Sequence, residues 1–188
     1  MTDLSQEQLD RIHRSEKRLA AEGVPVNPHL PAIESTAECK HRTAAEIGYR
    51  ALALMAVAMS GAGQEKATTR KIVADFCLGE WLSPKEREFL SAEAPASQER
   101  VNFAWRGEAA HTLFWALRYV SALGMPTQPC DPRPLMKIMK QHGAAGPFIA
   151  AGVLRPISEI LDEADLIYRY HWAVVDARLH GRAAPVGL

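Results

Sequence analysis

At 188 residues, with 47% hydrophobic and 23% charged side chains, the chain has the size and composition of one globular domain able to bury a real core. Lysine plus arginine balance aspartate plus glutamate at 22 each, so no basic surplus points to nucleic acid and no polybasic run points to a membrane surface. The N-terminus MTDLSQEQLD lacks an apolar signal core, and the apolar run ALALMAVAMSGAG is too short to span a bilayer. Cys39, Cys77 and Cys130 lie far apart without CxxC spacing, which fits reduced thiols in a cytoplasmic protein rather than a disulfide frame or zinc site.

In chain order, Ser5 with Gln8 three residues on is a capping box, and the helix it opens runs to Glu22, where Gly23 stops it. Leu9, Ile12 and Leu19 give it a thin apolar stripe, which predicts a peripheral position for residues 1–22. Residues 23–42 read as a proline-rich strap, since the prolines of GVPVNPHLPAIES favour an extended path. Thr43 with Glu46 caps a core helix that Gly61 ends. Ile72, Val73, Phe76 and Cys77 suggest a short helix before Gly79. Ser83-Pro84-Lys85-Glu86 is the clearest helix start in the chain: a serine cap, proline at the first position and glutamate at the third.

Residues 97–123 read as one long helix, apolar around most of its axis through Phe103, Trp105, Leu113, Phe114, Trp115, Leu117 and Val120. Glu108 sits among its aromatics. Asp131-Pro132 opens a shorter helix, PLMKIMKQHG. The longest helix spans Pro156–His180 and closes at Gly181. At about 100° per residue, one broad face carries Ile157, Ile160, Leu161, Ala164, Ile167, Tyr168, Trp172, Val174, Val175 and Leu179, and this face is expected to be buried. Beside it runs a narrow strip of Asp162, Asp165, Arg169, Asp176 and His180. His171 falls on the apolar side as a packed histidine. The expected fold is all-α: an irregular bundle forming a single domain over 1–188. Its two long central helices, 97–123 and 156–180, should pack on each other and on 43–60. Trp105, Leu113, Leu117, Leu161, Tyr168 and Val175 are the expected core.

Several segments taken together, EGVPVNPHLP, RTAAEIGYRALAL, LSPKEREFL, NFAWRGEAAHTLFWAL and above all LRPISEILDEADLIYRYHWAVVDARL, resemble the bacterial domain-of-unknown-function 4272 family. The resemblance covers nearly the whole chain and implies a mostly helical protein, with little about activity. Members of that family continue into a further helix with an Arg-His and an Asn-Trp, whereas this chain stops at AAPVGL. The expectation is uncovered apolar surface near the C-terminal end.

No motif announces a chemistry. The pairs Glu38/His41 and Glu108/His111 have the Glu-x-x-His spacing of di-iron bundles, but the first falls before the Thr43 cap. On a helix, His111 also points about 60° from Glu108. No G-x-S-x-G elbow, phosphate loop or activated cysteine is visible. No cofactor and no metal is expected. The candidate site residues are therefore the charges on the two long helices: Glu108, Asp162, Asp165, Arg169 and Asp176, with Arg106 beside them. Asp165 and Arg169 have the favourable i, i+4 order, and Asp162 or Glu108 is the expected second acid for Arg169. A solvated face and a structural network that fixes helix register remain open for this set. The leading function is a non-catalytic interaction module, an immunity-type protein being one form of it. A protein partner or a second copy would bind through the C-terminal region, with no nucleic acid and no membrane. The alternative is an enzyme using the carboxylates, with or without a metal.

Overall fold

The computed structural model describes residues 4–40, 42–185 and 188. The fold is all-α, without strands among the described residues. The helices are α1 (Gln6–Ala21), α2 (Ala44–Gly61), α3 (Lys66–Asp75), α4 (Pro84–Ser91), α5 (Ser97–Ala104), α6 (Arg106–Ala116), α7 (Arg133–His142), α8 (Ala145–Ala151) and α9 (Ile157–Leu179), with a 3-10 turn at Gly79–Trp81. Ser5, Thr43 and Ser83 each complete a reciprocal capping box, with Gln8, Glu46 and Glu86 respectively. Gly143 ends α7 in the left-handed conformation.

The described residues gather into two compact units. One takes its residues from Met1–His41, Pro126–Gln128 and Arg155–Leu188, the other from Arg42–Met125 and Pro129–Leu154. The second unit is built around α2. Every residue of α2 from Ala51 to Gly61 is buried, and α3, α4, α5, α6, α7 and α8 pack on it. A helix apolar on all sides belongs at such a centre. Its alanines and Gly61 let neighbouring backbones come close. A Cβ on Gly61 would press on the Ala104 nitrogen and lie 2.7 Å from the Arg100 carbonyl oxygen. Aromatic pairs fill the space around α2, with Phe89 stacked on Phe103 at 4.2 Å and Phe148 on Tyr119 at 4.5 Å.

The helix expected over 97–123 is two helices, α5 and α6, meeting at Trp105. The break falls where the α5 backbone rests on Gly61, and Gly107 just beyond it weakens helical continuity. α6 stops at Ala116, and Arg118 then takes a left-handed backbone (φ 63°). This turn brings the Leu117 carbonyl to the amide of Val153, at 3.1 Å. Trp105 is 57% exposed rather than buried, Leu113 is half-buried, and Leu117 is fully buried. No element is expected over 144–152, yet α8 forms there.

In the first unit α1 packs along α9, and the two expected long helices belong to different units. The buried arc of α9 contains Leu161, Asp165, Leu166, Arg169, Tyr170, Ala173 and Ala177. Its centre lies roughly 150° around the axis from the face expected to be inside, taking 100° per residue. Ala164, His171 and Leu179 are exposed, Ile167 is 37% exposed, and Tyr168, Trp172 and Val175 are half-buried. The physical reason is pairing. Asp162 and Arg169 find matching charges on α1, so this part of the strip enters the interface and turns part of the apolar stripe outward.

Candidate functional site

Asp162 and Arg169 of α9 pair with charges on α1 and form an ionic seam along the two helices. Arg169 donates to both oxygens of Asp165, Nε to Oδ2 at 2.8 Å and a terminal nitrogen to Oδ1 at 3.3 Å. Asp165 is fully buried and Arg169 is 1% exposed. The other terminal nitrogen of Arg169 reaches Glu16 on α1 at 3.1 Å. The second acid is thus Glu16, and not Asp162 or Glu108 as expected. Nothing in the sequence linked two residues so distant along the chain.

One turn towards the N-terminus of α9, Asp162 accepts from Arg11 at 3.1 Å and from Arg14 at 2.7 Å. Arg11 is 1% exposed and also donates to the Glu34 carbonyl and to Glu7. Towards the C-terminus, Tyr170 donates its hydroxyl to Glu22, which also accepts from Arg18 at 3.1 Å. Burial pushes the Tyr170 phenol up to about 12, and the Glu22 carboxylate adds to that rise. Burial works against ionisation of Glu22, but the Tyr170 and Arg18 hydrogen bonds outweigh it and hold its pKa below the usual value. Asp176 pairs with Arg182 and His180 near the end of α9. No buried side-chain nitrogen or oxygen among the described residues lacks a hydrogen-bond partner.

Glu108 belongs to the other unit. It stands on α6, half-buried, and accepts the backbone N–H of Cys130 at 2.7 Å. Burial, together with the neighbouring Glu108 charge, pushes the Cys130 thiol up to about 12. Arg106 points towards Glu86 at 4.0 Å and lies over the Phe103 ring. Glu86 is the most enclosed acid of this unit, 1% exposed, and Arg50 grips both of its oxygens at 2.7 and 2.8 Å. Glu108 thus falls in a different unit from Asp162, Asp165, Arg169 and Asp176.

Glu108 and Cys130 line a cleft of about 660 Å³ within the second unit. Met55, Met59 and Met136 form its apolar wall, with Val101 and Trp105 beside them and Arg100 as its lining cation. Val101 is 48% and Trp105 57% exposed. Trp105 falls inside only if 97–123 is one continuous helix, which the break between α5 and α6 rules out. The i, i+4 pair Val101/Trp105 followed by Gly107 was the available sign of an outward apolar edge. His111 is half-buried on α6, and Glu38 accepts from Ser35, while His41 lies outside the described residues. Among the described residues no three histidine, cysteine, aspartate or glutamate side chains gather as a metal would require, and no helix is long and apolar enough to cross a membrane.

These features define an all-helical protein with an ion-paired helix seam and a methionine-lined cleft. The chain belongs to the family described as domain of unknown function (DUF4272), whose model matches residues 11–188. No curated protein and no solved structure matches the chain.

Proposed function

We propose that the protein is a cytoplasmic, non-catalytic interaction module whose cleft between α2, α5 and α7 receives apolar side chains of a partner protein. The observation that carries this reading is the outward placement of Trp105 and Val101 beside a wall of methionines. A large exposed aromatic next to a concave apolar surface is the composition of a binding hot spot, and methionine walls adapt to varied shapes. The acids support the same reading from the other side. Arg169 holds both oxygens of Asp165, and Asp162 and Asp176 are each ion-paired with arginine, the arrangement of a structural network.

Affinity capture from the native cell with the wild type, Trp105→Ala and Val101→Glu tests this. The expected result is a stoichiometric partner retained by the wild type and lost by both variants, with circular dichroism unchanged. Identical captures from all three would overturn the reading. An enzymatic reading keeps one specific support, the Glu108 carboxylate on the cleft wall. Loss of partner binding in Trp105→Ala but not in Glu108→Gln separates the two. Self-association through the C-terminal region is supported by exposed Ile167 and Leu179 on α9, and sedimentation of Ile167→Lys against the wild type measures it.

A further inference from the structure

We infer that a second cleft, on the α3–α7 side of the second unit, binds a medium-chain fatty carboxylate. It encloses about 450 Å³, within the range of small-ligand sites. Its walls are Met59, Ile72, Phe76, Met136 and Met139, and no acidic side chain lines it. The charged residues that line it are Lys137 and Lys140, one helical turn apart on α7. Both are exposed, and among the described residues neither is held in an ion pair or side-chain hydrogen bond.

Lys140 lies in the last turn of α7, where a cation also offsets the exposed carbonyls of the helix end. Lys137, a turn earlier, has no such task. An apolar slot lined by two lysines and no acid is complementary to a flexible hydrocarbon tail ending in an anion. The three methionines suit a tail better than a rigid ring, because their unbranched thioethers follow a bending chain. The two clefts share Met59 and Met136, but Ile72, Phe76, Lys137 and Lys140 line only the second, so the inference goes beyond the interaction reading and is tested at residues that reading does not use.

Titration of the full chain with sodium dodecanoate, below its micelle-forming concentration and followed by calorimetry, tests it. Dodecyltrimethylammonium, with the same tail and the opposite charge, and acetate, with the head alone, are the comparators. The expected result is saturable one-site binding of dodecanoate, with no measurable binding of acetate. The doubly reversed variant Lys137→Glu/Lys140→Glu should bind about tenfold more weakly or worse, since two attractive rim charges become repulsive. The paired variant Lys137→Arg/Lys140→Arg should retain binding, and Ile72→Trp, which fills the slot, should abolish it. Circular dichroism of each variant confirms folding. Absence of saturable dodecanoate binding overturns the inference. So does equal affinity for dodecyltrimethylammonium, or unchanged affinity in the charge-reversed protein. Binding lost in Trp105→Ala but kept in Ile72→Trp would put the tail in the other cleft and equally overturn it.

Discussion

Arg169 holds Asp165 through two hydrogen bonds, 2.8 and 3.3 Å, at a point where the carboxylate is completely shielded from water. A buried pair of this kind adds little net stability over an apolar pair, but removing one partner strands the other. Arg169→Ala leaves Asp165 and Glu16 facing each other without their counter-charge. It should cost about 3–5 kcal/mol in urea unfolding. Arg169→Lys should recover only part of this, because one ammonium cannot reproduce the planar two-sided grip. Effects below about 1 kcal/mol for both variants, the range of an exposed pair, would mean that the seam is solvated.

The seam also explains where sequence reading of α9 stopped working. Periodicity reports which side is apolar, and burial normally follows it. Here Arg11, Glu16 and Glu22, more than a hundred residues earlier, supply counter-charges and a phenol acceptor at matching heights. With those partners the charged strip can be buried, and no local signal in 156–180 announces them. Local signals did carry the helix starts: Ser5, Thr43 and Ser83 cap where their sequences say. The i, i+4 pairing of Asp165 with Arg169 was legible for the same reason, being a property of one helix. The break at Trp105 was not, since it depends on α5 meeting Gly61 of another helix.

Gly61 sets how closely α5 approaches α2. Any side chain there meets the α5 backbone, which cannot rotate away as a flexible side chain can. Gly61→Ala should destabilise the protein by about 1–3 kcal/mol, the usual cost of overpacking. Because α5 carries Val101 and ends at Trp105, the same change should shift the tryptophan emission of the cleft. An unchanged melting temperature and spectrum would show that α5 is free to move.

Glu86 gives a sign to the acid side of the stability curve. Burial raises its pKa, but the Arg50 hydrogen bonds and the Ser83 amide outweigh burial, so the folded value lies below the unfolded one. A depressed folded pKa contributes stability that is complete above the unfolded carboxylate range, about 4.3 for glutamate, and is lost as pH falls through the folded value. Glu86→Gln should therefore flatten the loss of stability below about pH 4.3 without abolishing it, since Glu7, Glu22 and Glu46 are lowered too. An identical acid slope in the variant would remove Glu86 from this account.

Tyr170 acts at the other end of the scale. With its phenol pushed up to about 12, the folded protein holds this proton beyond the point where the unfolded chain, near pH 10, releases it. The contribution is complete below about pH 10 and declines as pH rises through the folded value. Ultraviolet titration should show a late phenolate step that is lost in Tyr170→Phe. Glu22→Gln should move that step to lower pH by removing the neighbouring negative charge.

Cys130 and Glu108 offer a test of the cleft wall itself. The thiol is half-buried and its pKa stands at about 12, so almost no thiolate exists at pH 8. Alkylation depends on the thiolate, and Cys130 should therefore react slowly. Cys77, exposed just after α3, should be labelled well before it. Replacing Glu108 by Gln removes the negative charge that helps hold the proton on sulfur. The labelling rate of Cys130 in Glu108→Gln, read by mass spectrometry of the peptide, should rise several-fold while that of Cys77 stays constant. If Cys130 already reacts as fast as Cys77 in the wild type, the cleft wall is open and Glu108 does not sit against it in solution.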